Sequence, residues 1–261
     1  MSDEAYKACI AALDDVTAAF NSGRAALSSA PTRYEADFAA FRLMQLVWLH
    51  VNSISHISTI PCTGSHLASA WVLARSAFET AVTALWLVIE DDWKEREARW
   101  LGWVASEEEY LRKLATEFES INPASAASYI AKAHRLKDRR EAITRLLPKD
   151  SRYKRPSMPQ LLKEVGAEGR FYIPYRVTSQ VVHGSAGADE WAVRHEGNMI
   201  FLGNAVALPS WKDLFRMASW SVVQPGVIVL ARSGAPSDAC DKLLSSHKRL
   251  LEVTERLNEQ I

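Results

Sequence analysis

The sequence predicts a mainly all-α protein, a multi-helix bundle forming one helical domain over residues 1–261, with a small β-hairpin inserted near residues 190–202. Three observations predict it. Apolar residues recur at helical spacing along most of the chain. Turn-forming segments separate those stretches at Ser28–Thr32, Pro61–Gly64, Asn122-Pro123 and Pro148–Pro156. No internal repeat or low-complexity linker divides them, so one domain is the simplest organisation. The expected core covers about residues 34–184, with the hairpin and the helices of 185–261 packed on it.

The first expected helix, about residues 3–28, is Ala-rich and places Ile10, Leu13, Val16 and Phe20 at helical spacing. The second runs from about Tyr34 to Ile60. It opens a stretch, Leu43 to Ala74, that holds no Asp, Glu, Lys or Arg. Gln45, His50, Asn52, His56, Pro61 and Gly64 would be costly in lipid, so this stretch is expected to be the buried middle of the protein and not a membrane span. The third helix, about Ser65–Glu90, is apolar around nearly its whole circumference and should be central. Its two interior charges, Arg75 and Glu79, stand four apart and share a face.

Helices follow at about Trp93–Ser120 and residues 124–147. A short one is opened by the capping box Ser157-x-x-Gln160 and closed by Gly166. Pro174 is placed to open the next helix and Gly184 to close it. Trp191–Val193 and Met199–Leu202 flank Glu196-Gly197-Asn198, which gives the hairpin. A helix from Ser210 to about Arg232 is expected to kink or break at Pro225-Gly226. The last helix covers about Ser237–Glu259.

At 48% hydrophobic and 24% charged residues, the composition is that of a globular protein and excludes a disordered one. Cys9, Cys62 and Cys240 are odd in number and scattered, which fits reduced thiols and gives no zinc or disulfide pattern. The start, Met1-Ser2-Asp3-Glu4, lacks the basic and apolar character of a secretory signal. A cytoplasmic protein with no membrane partner is expected. The formal net charge is zero, which argues against a wholly basic nucleic-acid binder. Residues 132–155 are locally basic, however, and Arg135, Arg139, Arg140, Lys154 and Arg155 are the candidates for RNA binding. The alternative is a solvated helix face.

The best functional lead is Pro174-Tyr175-Arg176-Val177-Thr178-Ser179-Gln180-Val181-Val182-His183-Gly184. On a helix Tyr175, Ser179 and His183 are successive i, i+4 neighbours, and Arg176 lies about 20° from His183 around the axis. One stripe therefore presents a cation, a hydroxyl and an imidazole. Imidazole exchanges a proton near neutral pH, and guanidinium holds a phosphate through two hydrogen bonds. Those are the groups a metal-free RNA cleavage needs: a base for the ribose 2′-OH and a cation for the phosphate charge. The alternative use of the stripe is to hydrogen-bond neighbouring helices.

Arg176-x6-His183 resembles the Arg-x4–6-His motif of the HEPN superfamily of helical bundles. The pairing of Arg75-x3-Glu79 with Tyr175-x3-Ser179-x3-His183 is also similar to HEPN-like bacterial families. The resemblance covers roughly Tyr34–Gly184. It implies a metal-independent endoribonuclease without cofactor, used as a toxin or a phage-defence effector, with RNA and an antitoxin or other protein as partners. It implies His183 as base or acid, Arg176 as phosphate clamp, and Arg75 and Glu79 as supporting polar groups. It also implies a homodimer, with the site built across the two-fold axis. Val177 is a departure, because active members commonly carry a polar residue after the Arg.

Other patterns point elsewhere. His50 and His56 face different sides of a helix, while Asn52 and His56 share a face and are expected to pair in the core. His66 is a capping candidate, and His134 with Asp138 is expected on the surface. Glu107-Glu108-Glu109 lacks the His of a di-iron bundle. No P-loop, Gly-x-Ser-x-Gly or His-Glu-x-x-His pattern occurs. A non-catalytic helical binding module is the alternative to an enzyme.

Overall fold

Local capping chemistry starts and stops the helices where the chain turns. The computed structural model describes residues 3–27, 34–59, 67–148, 154–182, 193–196, 199–202 and 209–257. Among these are nine helices: α1 (Asp3–Ala25), α2 (Glu35–Ser58), α3 (Leu67–Val88), α4 (Trp93–Phe118), α5 (Pro123–Thr144), α6 (Met158–Glu164), α7 (Glu168–Val182), α8 (Pro209–Arg232) and α9 (Ser237–Arg256). Two four-residue strands, β1 (Val193–Glu196) and β2 (Met199–Leu202), pair antiparallel with Val193 opposite Leu202 and Glu196 opposite Met199. The architecture is a helical bundle, and these two strands form its one small sheet among the described residues.

Asp92 caps α4 by accepting the Lys94 N–H at 3.0 Å, and Asn122 caps α5 by accepting the Ser125 N–H at 3.1 Å. At α6 the Gln160 side chain accepts the Ser157 N–H at 3.0 Å, one half of the expected capping box. Gly166, at φ 68°, ends α6 in the left-handed region. There the Ala167 N–H reaches the Leu162 carbonyl at 2.8 Å and the Gly166 N–H reaches Lys163 at 3.1 Å, a Schellman closure. The N-terminus of α2 is capped from outside: Glu97 of α4 accepts the Ala36 N–H at 3.0 Å.

The third helix is central, as its all-round apolar sequence implies. α3 packs against α2, α4, α6, α7 and α8, and Phe78 and Trp86 are fully buried on it. Each such side chain contributes roughly 1.5–3 kcal/mol on burial. α1 packs on α9 and α4 on α5, while α8 touches α1, α2, α3 and α9. One contiguous apolar cluster joins Leu13 and Phe20 of α1, Met44 of α2, Trp100 of α4, Leu162 of α6, Phe171 of α7, Phe215 of α8 and Leu250 of α9. The segments Ser69–Val88 and Trp211–Arg232 are long and apolar enough to cross a membrane, and they lie 67% and 72% buried inside the bundle. Helix-on-helix burial accounts for that composition.

Three expectations change. Pro174 does not open its helix: α7 starts at Glu168 and Pro174 lies inside it. The reason is Phe171, which α7 must carry into the core against Phe78 and Trp220 at ring-centroid distances of 5.5 and 5.0 Å. α8 runs to Arg232 as expected and is not broken at Pro225-Gly226. A Cβ on Gly226 would meet Leu243 and Phe20 at 3.2 Å, so this glycine lets α8 approach α9 and α1 closely. The stretch from Leu43 to Ala74 is not uniformly buried, because Leu46, Leu49 and Val72 are exposed.

Candidate functional site

The contact between α3 and α7 brings Arg75 and Glu79 of the first motif to Tyr175 of the second. α3 presents Arg75, Phe78 and Glu79 at helical spacing, and α7 presents Phe171 and Tyr175 four apart. Phe78 sits in ring contact with both Phe171 and Tyr175, the latter at 6.4 Å. Arg75 Nε donates to Glu79 Oε1 at 2.8 Å, and its guanidinium lies 5.2 Å from the centre of the Tyr175 ring. The Arg75 side chain is only 12% exposed, and its Nη1 is a buried donor with no hydrogen-bond partner among the described residues. A guanidinium stacked on an aromatic face and tied by one carboxylate is fixed in position, with donor capacity remaining.

Arg176 follows on the same helix and is exposed. Ser179 stands one turn beyond Tyr175 on α7, which ends at Val182. His183 and Gly184 lie outside the described residues, as does His66. The structure therefore joins Arg75, Glu79 and Tyr175 directly, and it places Arg176 at the surface of the helix that leads to His183.

The basic segment is largely charge-matched. Arg139 pairs with Glu35 of α2, Arg140 with Glu108 of α4 at 3.0 Å, and Arg155 with Glu107 at 3.4 Å. Arg135 is exposed. Lys154, also exposed, lines with Arg155 and Lys163 an open depression of about 850 Å³. The acidic run of α4 thus serves as the counter-charge of α5 and of the segment leading to α6. An apolar recess of about 460 Å³ lies between α2, α4 and α5, lined by Leu43, Leu46, Leu49, Trp100, Trp103 and Leu136.

Of the remaining histidines, His56 is placed differently from expectation. Asn52 and His56 are both exposed and do not form a core pair, because the buried stripe of α2 passes through Val51, Ile54, Ser55 and Ser58. His134 is exposed, as expected. Among the described residues no group of three His, Cys, Asp or Glu side chains is placed to hold a metal ion.

Two polar constellations carry no sequence signature. Arg96 forms a buried ion pair with Asp37 at 2.8 Å and donates to the Asp91 carbonyl at 2.6 Å, which fixes the start of α2 against the α3–α4 turn. Ser219 Oγ and His247 Nδ1 lie 2.6 Å apart across α8 and α9. Burial, and then the nearby Arg170 guanidinium, hold the His247 imidazole below its usual pKa. Asp37 and Arg96, and likewise Ser219 and His247, are many residues apart, so no spacing rule links them.

The chain belongs to a family of unknown function (DUF5677), whose model matches residues 40–198. That span runs from α2 to the segment joining the two strands. It therefore contains both the Arg75/Glu79 pair and the Tyr175–His183 stripe. No curated protein and no solved structure matches the chain.

Proposed function

We propose that this protein is a HEPN-like, metal-independent endoribonuclease that acts on RNA in the cytoplasm as a homodimer. The observation that carries the reading is the seat of Arg75 and Glu79 of α3 against Tyr175 of α7. Arg75 and Tyr175, a hundred residues apart in the chain, meet at one place. The helix that bears Tyr175 also bears the exposed Arg176 and ends at Val182, the residue before His183 in the chain.

In this reading His183 takes the proton from a ribose 2′-OH, whose oxygen attacks the adjacent phosphorus. The bond to the 5′-oxygen of the next nucleotide breaks, and that oxygen receives a proton. Arg176 holds the phosphate oxygens as charge builds on them, and Ser179 and Tyr175 orient the groups beside it. The HEPN-like form of the bundle, its hairpin near residues 190–202, its single domain over 1–261 and a role as a toxin or phage-defence effector with an antitoxin partner belong to the same proposal. Purified protein should cleave RNA in the presence of a chelator and leave 2′,3′-cyclic phosphate ends. Arg176→Ala and His183→Ala should each abolish cleavage while the helical circular dichroism is kept. Undiminished cleavage by both variants refutes the assignment.

A second reading, a non-catalytic helical binding module, is favoured by the charge pairing. Arg139, Arg140 and Arg155 are engaged by carboxylates and are less available to phosphate. It predicts partner binding that is unchanged in His183→Ala.

A further inference from the structure

The junction of α7, α8 and α9 holds a cavity of about 390 Å³ that the proposed ribonuclease site does not use. Asp213, Arg216 and Trp220 form one stripe on α8, and His247, Leu251 and Glu255 form one on α9. Phe171 and Trp220, in ring contact at 5.0 Å, give it an aromatic wall. Part of its charge is spent on structure. Glu255 is held by Lys212 at 2.8 Å and by Arg216, and Arg216 Nε also donates to Thr254 Oγ1 at 3.3 Å.

Three groups keep hydrogen-bonding capacity among the described residues: Arg170, Asp213, which feels the Arg216 and Lys212 charges without a direct ion pair, and His247. Arg170 and Asp213 are exposed, both line the cavity, and neither forms an ion pair with a described residue. His247 has Nδ1 fixed by Ser219, a fully buried hydroxyl, which leaves Nε2 as its second polar atom. Helices that merely needed joining would pair such groups, as Lys212, Arg216 and Glu255 do a turn away. A concave site with an aromatic wall and a few convergent polar groups is instead the usual form of a small-molecule site.

We infer that this cavity binds a small organic anion that also carries an N–H donor and a flat apolar body. The anionic group meets Arg170, the N–H meets the Asp213 carboxylate, the apolar body lies against Trp220 and Phe171, and His247 Nε2 supplies a further hydrogen bond. A nucleoside monophosphate and an aromatic α-amino acid both have this chemistry. The inference is independent of the ribonuclease reading.

The test is titration of the full chain with adenosine 5′-monophosphate and, separately, with L-phenylalanine. Binding is followed by calorimetry and by the ¹⁵N shift of His247 Nε2. Adenosine and phenethylamine serve as the partners that lack the anion. One of the two anionic ligands is expected to bind and to move the His247 resonance. Its anion-free partner, and the Arg170→Gln variant, should bind at least about tenfold more weakly. Arg170 is exposed, so its replacement should leave the helical spectrum unchanged. Binding of the phosphate compound alone would identify a nucleotide site, and binding of the amino acid alone an amino-acid site. Failure of both ligands up to about 5 mM, or equal affinity in Arg170→Gln, overturns the inference.

Discussion

Glu97→Gln should make the protein more stable in alkaline solution and leave it nearly unchanged in acid. Glu97 is 1% exposed on α4, and its Oε1 accepts the Ala36 N–H at 3.0 Å, which caps α2. Its Oε2 is buried without a hydrogen-bond partner among the described residues. Burial raises its pKa to about 7 from an ordinary 4.5, with the Ala36 N–H opposing and the Glu35 and Asp37 charges adding to the rise.

The folded state therefore holds this proton more tightly than the unfolded state does. Stability from the protonated group is complete below the unfolded value of 4.5 and is lost as pH rises through about 7. The span between those values corresponds to about 3 kcal/mol at 1.36 kcal/mol per pKa unit. Glutamine keeps the oxygen that caps Ala36 and never ionises. Urea unfolding of both proteins at about pH 4 and about pH 8.5 measures the difference in each condition. Any constant effect of the amide cancels between the two. The expected change is about 3 kcal/mol in favour of the variant on going to alkaline pH. A difference that does not vary with pH, or that grows in favour of wild type, refutes the reasoning.

Two further perturbations test the packing. Arg96→Ala removes the buried guanidinium that pairs with the Asp37 carboxylate and holds the Asp91 carbonyl, and should cost about 3–5 kcal/mol in denaturant unfolding. A loss below about 1 kcal/mol would mean that the pair does not fix α2 to the α3–α4 turn. Gly226→Val forces side-chain atoms beyond a Cβ that already meets Leu243 and Phe20 at 3.2 Å, so about 1–3 kcal/mol should be lost in thermal unfolding. A stabilised variant would show that α8 has room there and that Gly226 serves some other purpose.

By itself the sequence determined where helices form and which of them is central. That follows from local physics: apolar periodicity, Asp92 and Asn122 as caps, and a left-handed Gly166 are readable within a few residues of where they act. It also placed Arg75 and Glu79 on one face and Tyr175 and Ser179 on another, because i, i+4 geometry is a property of one helix. Tertiary structure decided what a local signal meant. Pro174 and Pro225-Gly226 have the chemistry of helix ends, yet both lie inside helices, because Phe171 must reach the core and α8 must approach α1 and α9 closely.

Only the packed bundle could settle which charges are engaged. The basic residues Arg139, Arg140 and Arg155 are matched by carboxylates that come from α2 and α4. The same holds for Arg75 beside Tyr175, for the capping of α2 by Glu97, and for the Ser219–His247 bond. These groups belong to separate helices, and their meeting depends on which helix faces which. The Tyr175–Ser179 spacing was thus legible as a pattern on one helix, whereas the neighbours of Tyr175 and the second cavity came from the fold.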